Sequence, residues 1–108
     1  AGIEVIYPPA HKALYNSIVE HGAVVSEVPG WERVERAKFP ARNRIISGLS
    51  EAVLVTEGAL DSGSLITARM ALDQGRDVFA VAGSAGADYL IDQGAKSVTS
   101  IDDILVEL

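Results

Sequence analysis

The chain has 108 residues, 48% apolar and 22% charged, with a net charge of −6 and no cysteine. These values suit one globular domain over residues 1–108 and exclude disulfides and thiolate metal sites. They also fit a reducing, cytoplasmic setting; no apolar run is long enough for a transmembrane helix, and no basic-then-apolar leader is seen.

The chain opens at Ala1 and not at methionine, so a fragment or trimmed chain is expected. "GIEVIY" (2–7) reads as a strand closed by Pro8-Pro9, and "AHKALYNSIVEHG" (10–22) as a helix with Ala10, Leu14 and Ile18 four apart. "AVVSEV" (23–28) reads as a second strand, followed by a polar loop over 29–38. "ARNRIISGL" (41–49) is expected as a helix with Ile45, Ile46 and Leu49 inward. "AVLVTE" (52–57) is a near-continuous apolar run, the pattern of a parallel strand buried on both faces. "SLITARMALDQG" (64–75) follows as a helix with Leu65, Ala68 and Leu72 on one side, and "DVFAVAG" (77–83) as another buried strand. "ADYLIDQG" (87–94), "KSVTS" (96–100) and "SIDDILVEL" (100–108) complete the pattern as helix, strand and helix, with Ser100 as N-cap and Asp103 three residues on.

Alternating strands and helices with short connections imply an α/β, Rossmann-like fold. A mostly parallel sheet of about five strands is expected, with helices on both faces. In such sheets the strand-to-helix turns gather beyond the strand carboxyl ends, where ligands bind. The turns over 28–41, 57–64 and 82–87 are expected at that edge.

Charge is unevenly spread. Arg33, Arg36, Lys38, Arg42 and Arg44 face only Glu35 as an opposing charge between 33 and 44, a local +4 that leaves −10 elsewhere. Phe39 and Trp31 flank the cluster, and aromatic faces stack unpaired bases while cations hold phosphates. The same residues also read as a solvated loop, with Phe39 in the core and the arginines paired to Glu32, Glu35 or Glu51. The turn "EGALDSGS" (57–64) combines small residues with a helix start at which Ser64 suits the N-cap. Such starts attract anions, although many capped turns bind nothing. "AGSAG" (82–86) matches neither the Walker pattern nor G-x-G-x-x-G and reads as a flexible turn. His11 and His21 sit at opposite ends of one expected helix, and no H-x-x-x-H, G-x-S-x-G or cysteine nucleophile is present. No catalytic residue, metal ligand or cofactor is therefore assigned.

The blocks "VIYPPAHKALYNSIVEHGAVVSE", "FPARNRIISGLSEAVLVTE", "SGSLITARMALDQGRDVFAVAGS" and "LIDQGAKSVTSIDDIL", in this order, resemble the DNA-processing protein A family, DprA or Smf. The resemblance covers nearly the whole chain and implies the C-terminal part of a Rossmann-like domain that binds single-stranded DNA. It implies a role in natural transformation, loading of RecA, no covalent chemistry, and a homodimer through the region 89–105. Carried onto this sequence, the DNA-contacting candidates are Lys38, Phe39, Arg42, Asn43 and Arg44, with Ser62, Gly63 and Ser64 lining the adjacent turn. Two departures stand out. The family's preceding half-domain, with its G-S-R turn and S-G-x-A-x-G-I-D block, is not seen. The turn after "FAVAGS" lacks the usual S-R-G-T-N stretch and has Ala82 where proline is usual. Weakened DNA binding by this chain alone is the corresponding expectation. Two other readings stand beside this one: a module acting by self-association or protein contact, and a Rossmann-type nucleotide enzyme using "DSGS" for phosphate.

Overall fold

The structure, a computed structural model, describes residues 1–108. They form two compact units, Ala1–Phe39 and Pro40–Leu108.

In the first unit a single 3₁₀ turn, Pro9–His11, leads into helix α1, Lys12–His21. The two strands expected at 2–7 and 23–28 do not form. A strand needs a neighbour to receive its backbone groups, and here those groups go to the turn around 29–32 and to side chains. Gly2 N–H donates to Glu32 O at 2.8 Å and Glu4 N–H to Gly30 O at 2.8 Å. Ser26 Oγ bonds Ala1 O at 3.0 Å, and Tyr15 OH donates to Ile3 O at 2.6 Å. Gly2 is the one buried residue of this unit, and α1 buries none of its side chains.

Helix α2, Lys38–Gly48, begins earlier than the sequence pattern suggests. Pro40 is accommodated because it lies in the first turn, where a backbone N–H has no helical partner to lose. The remaining elements are β1 (Ala52–Val55), α3 (Gly63–Asp73), β2 (Asp77–Ala80), α4 (Ala85–Asp92), β3 (Lys96–Ser97) and α5 (Ile101–Leu105).

The three strands form one parallel sheet in the order β1-β2-β3, with Val55 opposite Ala80 and Ala80 opposite Ser97. The α/β architecture and the parallel sheet are as expected, but with three strands in place of about five. Val53, Val55, Val78 and Ala80 share one core with Leu65, Ala68 and Ala71 of α3 and with Ala87, Leu90 and Ile91 of α4. Both crossover helices therefore cover the same face of the sheet, where the sequence suggests helices on both faces. Alternation along the strands sends Leu54 to the opposite face, where it is 44% exposed. Phe79 points the same way and is buried. On α3, Leu65 and Ala68 point inward as expected, but Ala71 takes the place assigned to Leu72, which is exposed. After α3 the chain turns on Gly75 at φ 74°, a left-handed conformation that L side chains resist, and Arg76 N–H closes onto Ala71 O at 2.8 Å.

The last helix is opened by its own carboxylate. Asp103 Oδ2 accepts from Thr99 N–H at 2.9 Å, Thr99 Oγ1 at 3.2 Å and Ser100 N–H at 3.2 Å. The backbone bond from Thr99 is the largest cause holding the Asp103 carboxyl below its ordinary value; the bonds from Ser100 N–H and Thr99 Oγ1 follow. A carboxyl depressed in the folded state stabilises fully above its unfolded pKa of about 3.9, and that support disappears as pH falls through the lower folded value. Asp103→Asn should therefore melt at lower temperature than the parent at pH 7. The gap should close as the pH drops below about 3.9, as followed by circular dichroism.

Candidate nucleic-acid interface

Two strand-to-helix turns lie side by side at the carboxyl edge of the sheet. β1 ends at Val55 and β2 at Ala80, and the ladder is extended by Val81 N–H donating to Val55 O at 2.9 Å. The turns are then cross-tied. Gly58 N–H donates to Ser84 Oγ at 3.2 Å, and Gly86 N–H donates to Gly58 O at 2.7 Å. Ser84 is also the N-cap of α4, its Oγ accepting from Ala87 N–H at 3.3 Å. One hydroxyl thus caps a helix and holds the neighbouring turn. Two of the three turns expected at this edge are joined in this way.

The fit depends on Gly86 having no side chain. A Cβ there would lie 2.5 Å from Gly58 O, 2.5 Å from Leu65 Cδ1 and 2.8 Å from Ala59 O.

Helix α3 starts directly from the first of these turns. Its N-cap is Ser62, not Ser64. Ser62 Oγ is buried without a hydrogen-bond partner, and a Cβ on Gly58 would come within 2.8 Å of it, so this hydroxyl is packed under the turn. Gly63 and Ser64 form the exposed first turn, where backbone N–H groups have no preceding helical carbonyl.

Helix α2 is bound to this start by its polar face. Asn43 and Ser47, four residues apart, are its buried residues, whereas Ile46 and Leu49, expected inward, are exposed. Hydrogen bonding accounts for the reversal. Asn43 Nδ2 donates to Gly63 O over a long 3.5 Å, and Asn43 Oδ1 accepts from Arg42 Nε at 3.1 Å. Ser47 Oγ reaches Arg44 O at 3.2 Å and Asn43 O at 3.3 Å. At the far end of α3, Gln74 Nε2 donates to Arg44 O at 2.9 Å, and Arg76 Nη2 donates to Gly48 O at 2.7 Å.

Arg42, Asn43, Gly63 and Ser64 are thus brought together, with Ser62 beneath them. Arg44 is exposed and is tied through its carbonyl to the other end of α3. Lys38 and Phe39 close the first unit. Lys38 Nζ is ion-paired to Glu32 Oε2. Phe39 is 38% exposed and Trp31 70%.

Gln74 and Arg76 tie α2 to the end of α3, Ser47 is buried against carbonyls of its own helix, and none of the three was singled out from the sequence. The Asn43/Ser47 spacing was an available signal, since two small polar residues four apart lie on one face of a helix. Gln74 and Arg76 carry no such local signal.

Comparison with known proteins addresses what this edge belongs to. Residues 1–108 match the family described as DNA recombination-mediator protein A. The chain belongs to this family. It is similar to the DNA processing protein DprA of Bacillus subtilis (strain 168), 48% identical over 99% of the chain and 38% of that protein. It is also similar to the protein Smf of Escherichia coli (strain K12), 51% identical over 99% of the chain and 30% of that protein. The chain thus spans well under half the length of these DprA and Smf relatives. The X-ray structure of DprA from Streptococcus pneumoniae superposes with a TM-score of 0.87 at 45% identity, over 99% of this chain and 40% of that one. DprA from Helicobacter pylori, whose structure describes a single-stranded DNA binding mode, superposes with a TM-score of 0.84 at 28% identity. That match covers 98% of this chain and 52% of the other.

The cross-tied turns make Gly86 a sensitive position for a DprA-type edge. Gly86→Ala should cost about 1–3 kcal/mol, the usual penalty for overpacking a closed site, read as a lower urea midpoint with an unchanged m-value.

Proposed function

We propose that this chain is a single-stranded-DNA-binding part of a DprA-type protein and acts without covalent chemistry. The observation that carries the reading is the tie from Arg42 through Asn43 to Gly63, which sets a guanidinium beside a helix start. A helix start offers oriented N–H groups to an anion, and arginine adds planar, permanently charged donors. Ser64 supplies a hydroxyl in the same turn, and Gly63 permits close approach of a backbone phosphate. Arg44 adds a second cation on α2. Lys38 and Phe39 precede Arg42 in the chain, and the same reading gives them the parts of a phosphate cation and a base-stacking ring. The wider role is protection of incoming strands in natural transformation and their transfer to RecA.

Self-association is part of the same reading. Tyr89, Ile101 and Leu105 are exposed apolar side chains in the region 89–105, and they suit a contact with a second copy of the chain. No helix is long and apolar enough to cross a membrane.

Fluorescence anisotropy with a labelled oligothymidine tests the DNA reading. Affinity should fall with salt by a log–log slope of about −0.7 for each phosphate neutralised. Arg42→Ala and Arg44→Ala should each make the slope shallower by about 0.7. Salt-independent binding, or no binding at high protein concentration, would overturn the assignment.

A further inference from the structure

We infer that Asp88 selects between the two helix starts at this edge: its carboxylate stands in the α4 turn as a built-in anion, so a strand's phosphate is turned away there and received at the α3 start alongside. This rests on the DNA-binding reading and specifies which part of the edge the strand follows. In outline the two starts are alike. Each follows a strand of the same parallel sheet, and each has a serine as N-cap. Gly58 N–H on Ser84 Oγ and Gly86 N–H on Gly58 O join their turns.

The difference lies in where the backbone donors go. In the α4 turn, Gly83 N–H donates to Asp88 Oδ1 at 2.9 Å and Ala87 N–H to Ser84 Oγ at 3.3 Å. Gly86 N–H goes to Gly58 O at 2.7 Å, and Asp88 N–H to Ser84 O at 2.9 Å. Asp88 is also the acidic residue in the first turn of α4, where its charge meets the positive end of the helix dipole. An incoming phosphate would meet like charge there, and donors that already have acceptors. At α3, Ser62 makes no side-chain cap bond and the first turn holds no acidic residue. Asp61, the nearest acid in the chain, lies before the cap. Gly63 and Ser64 are exposed, and N–H groups at those positions have no helical carbonyl to reach. Between two turns tied directly together, one carboxylate thus steers the strand to α3.

Fluorescence anisotropy with labelled oligothymidine tests the selection in the full chain. Asp88→Asn keeps an oxygen for Gly83 N–H and removes the charge. It should bind about two- to fivefold more tightly at low salt, the scale of one charge at a helix end. The gain should shrink as salt rises. Asp73→Asn is the control. It makes the same change of net charge at the far end of α3, about 15 Å from the start of that helix, and should leave affinity within about 1.5-fold of the parent. Equal gains from the two variants, or none from Asp88→Asn, would overturn the inference.

A second readout needs no DNA. Inorganic phosphate, titrated against sodium chloride at matched ionic strength, should move the Gly63 and Ser64 amide resonances in a ¹H–¹⁵N spectrum of the parent and leave that of Gly83 in place. In Asp88→Ala, which removes an exposed side chain, Gly83 should begin to respond. A Gly83 amide that follows phosphate in the parent or stays fixed in Asp88→Ala overturns the inference, and so do Gly63 and Ser64 amides that do not move. If the parent binds no oligothymidine, the DNA reading fails, while the phosphate titration still decides which start accepts an anion.

Discussion

Two backbone turns meet at the carboxyl edge of the sheet so closely that a methyl group would not fit between them. Gly86 N–H on Gly58 O, at 2.7 Å, is the bond around which this edge is assembled. It joins the turn leading into α3 to the turn leading into α4. Because Ser84 caps α4 and also receives Gly58 N–H, the two helices begin from a common frame. Below this frame, Val55, Ala80, Leu65 and Ala87 form a closely packed apolar core. The turn at the start of α3 thus stands on a base with little freedom to shift, which a site built from backbone N–H groups needs.

Helix α2 meets α3 through polar contacts. A helix that buries asparagine and serine while exposing isoleucine and leucine gains little from water release on that face. Its attachment depends on a few directional bonds: Asn43 at one end of α3, Gln74 and Arg76 at the other. Directional bonds fix rotation about the helix axis more tightly than apolar packing does.

The parts of this arrangement that the sequence shows plainly are those governed by local rules. "AVLV" and "DVFA" are dense enough in apolar residues to be strands wherever they fold, and both are. "GIEVIY" and "AVVSEV" are also rich in apolar residues, but a strand is a property of two segments, and their backbone groups go to the turn at 29–32 and to Ser26 instead. The serine turn was legible because small residues between a strand and a helix have few other uses. The inward face of α2 was not, since hydropathy ranks Ile46 above Asn43 and does not register that a distant carbonyl, Gly63 O, awaits a donor. That Asn43 is buried between two exposed arginines is likewise not evident from residue type. The docking role of Gln74 and Arg76 is invisible for the same reason, as their partners are backbone atoms about thirty positions away.

The pairing of Lys38 with Glu32 has a bearing on selectivity. A tethered carboxylate is present at high effective concentration, so any anion that approaches this ammonium enters a competition with an internal rival. A solitary phosphate has nothing with which to win that exchange, because each time it lets go the rival is already in place. A polyanion held elsewhere along its length can wait through many such reversals. Under the proposed DNA-binding reading, the ion pair would therefore favour a strand held at several points over a small anion.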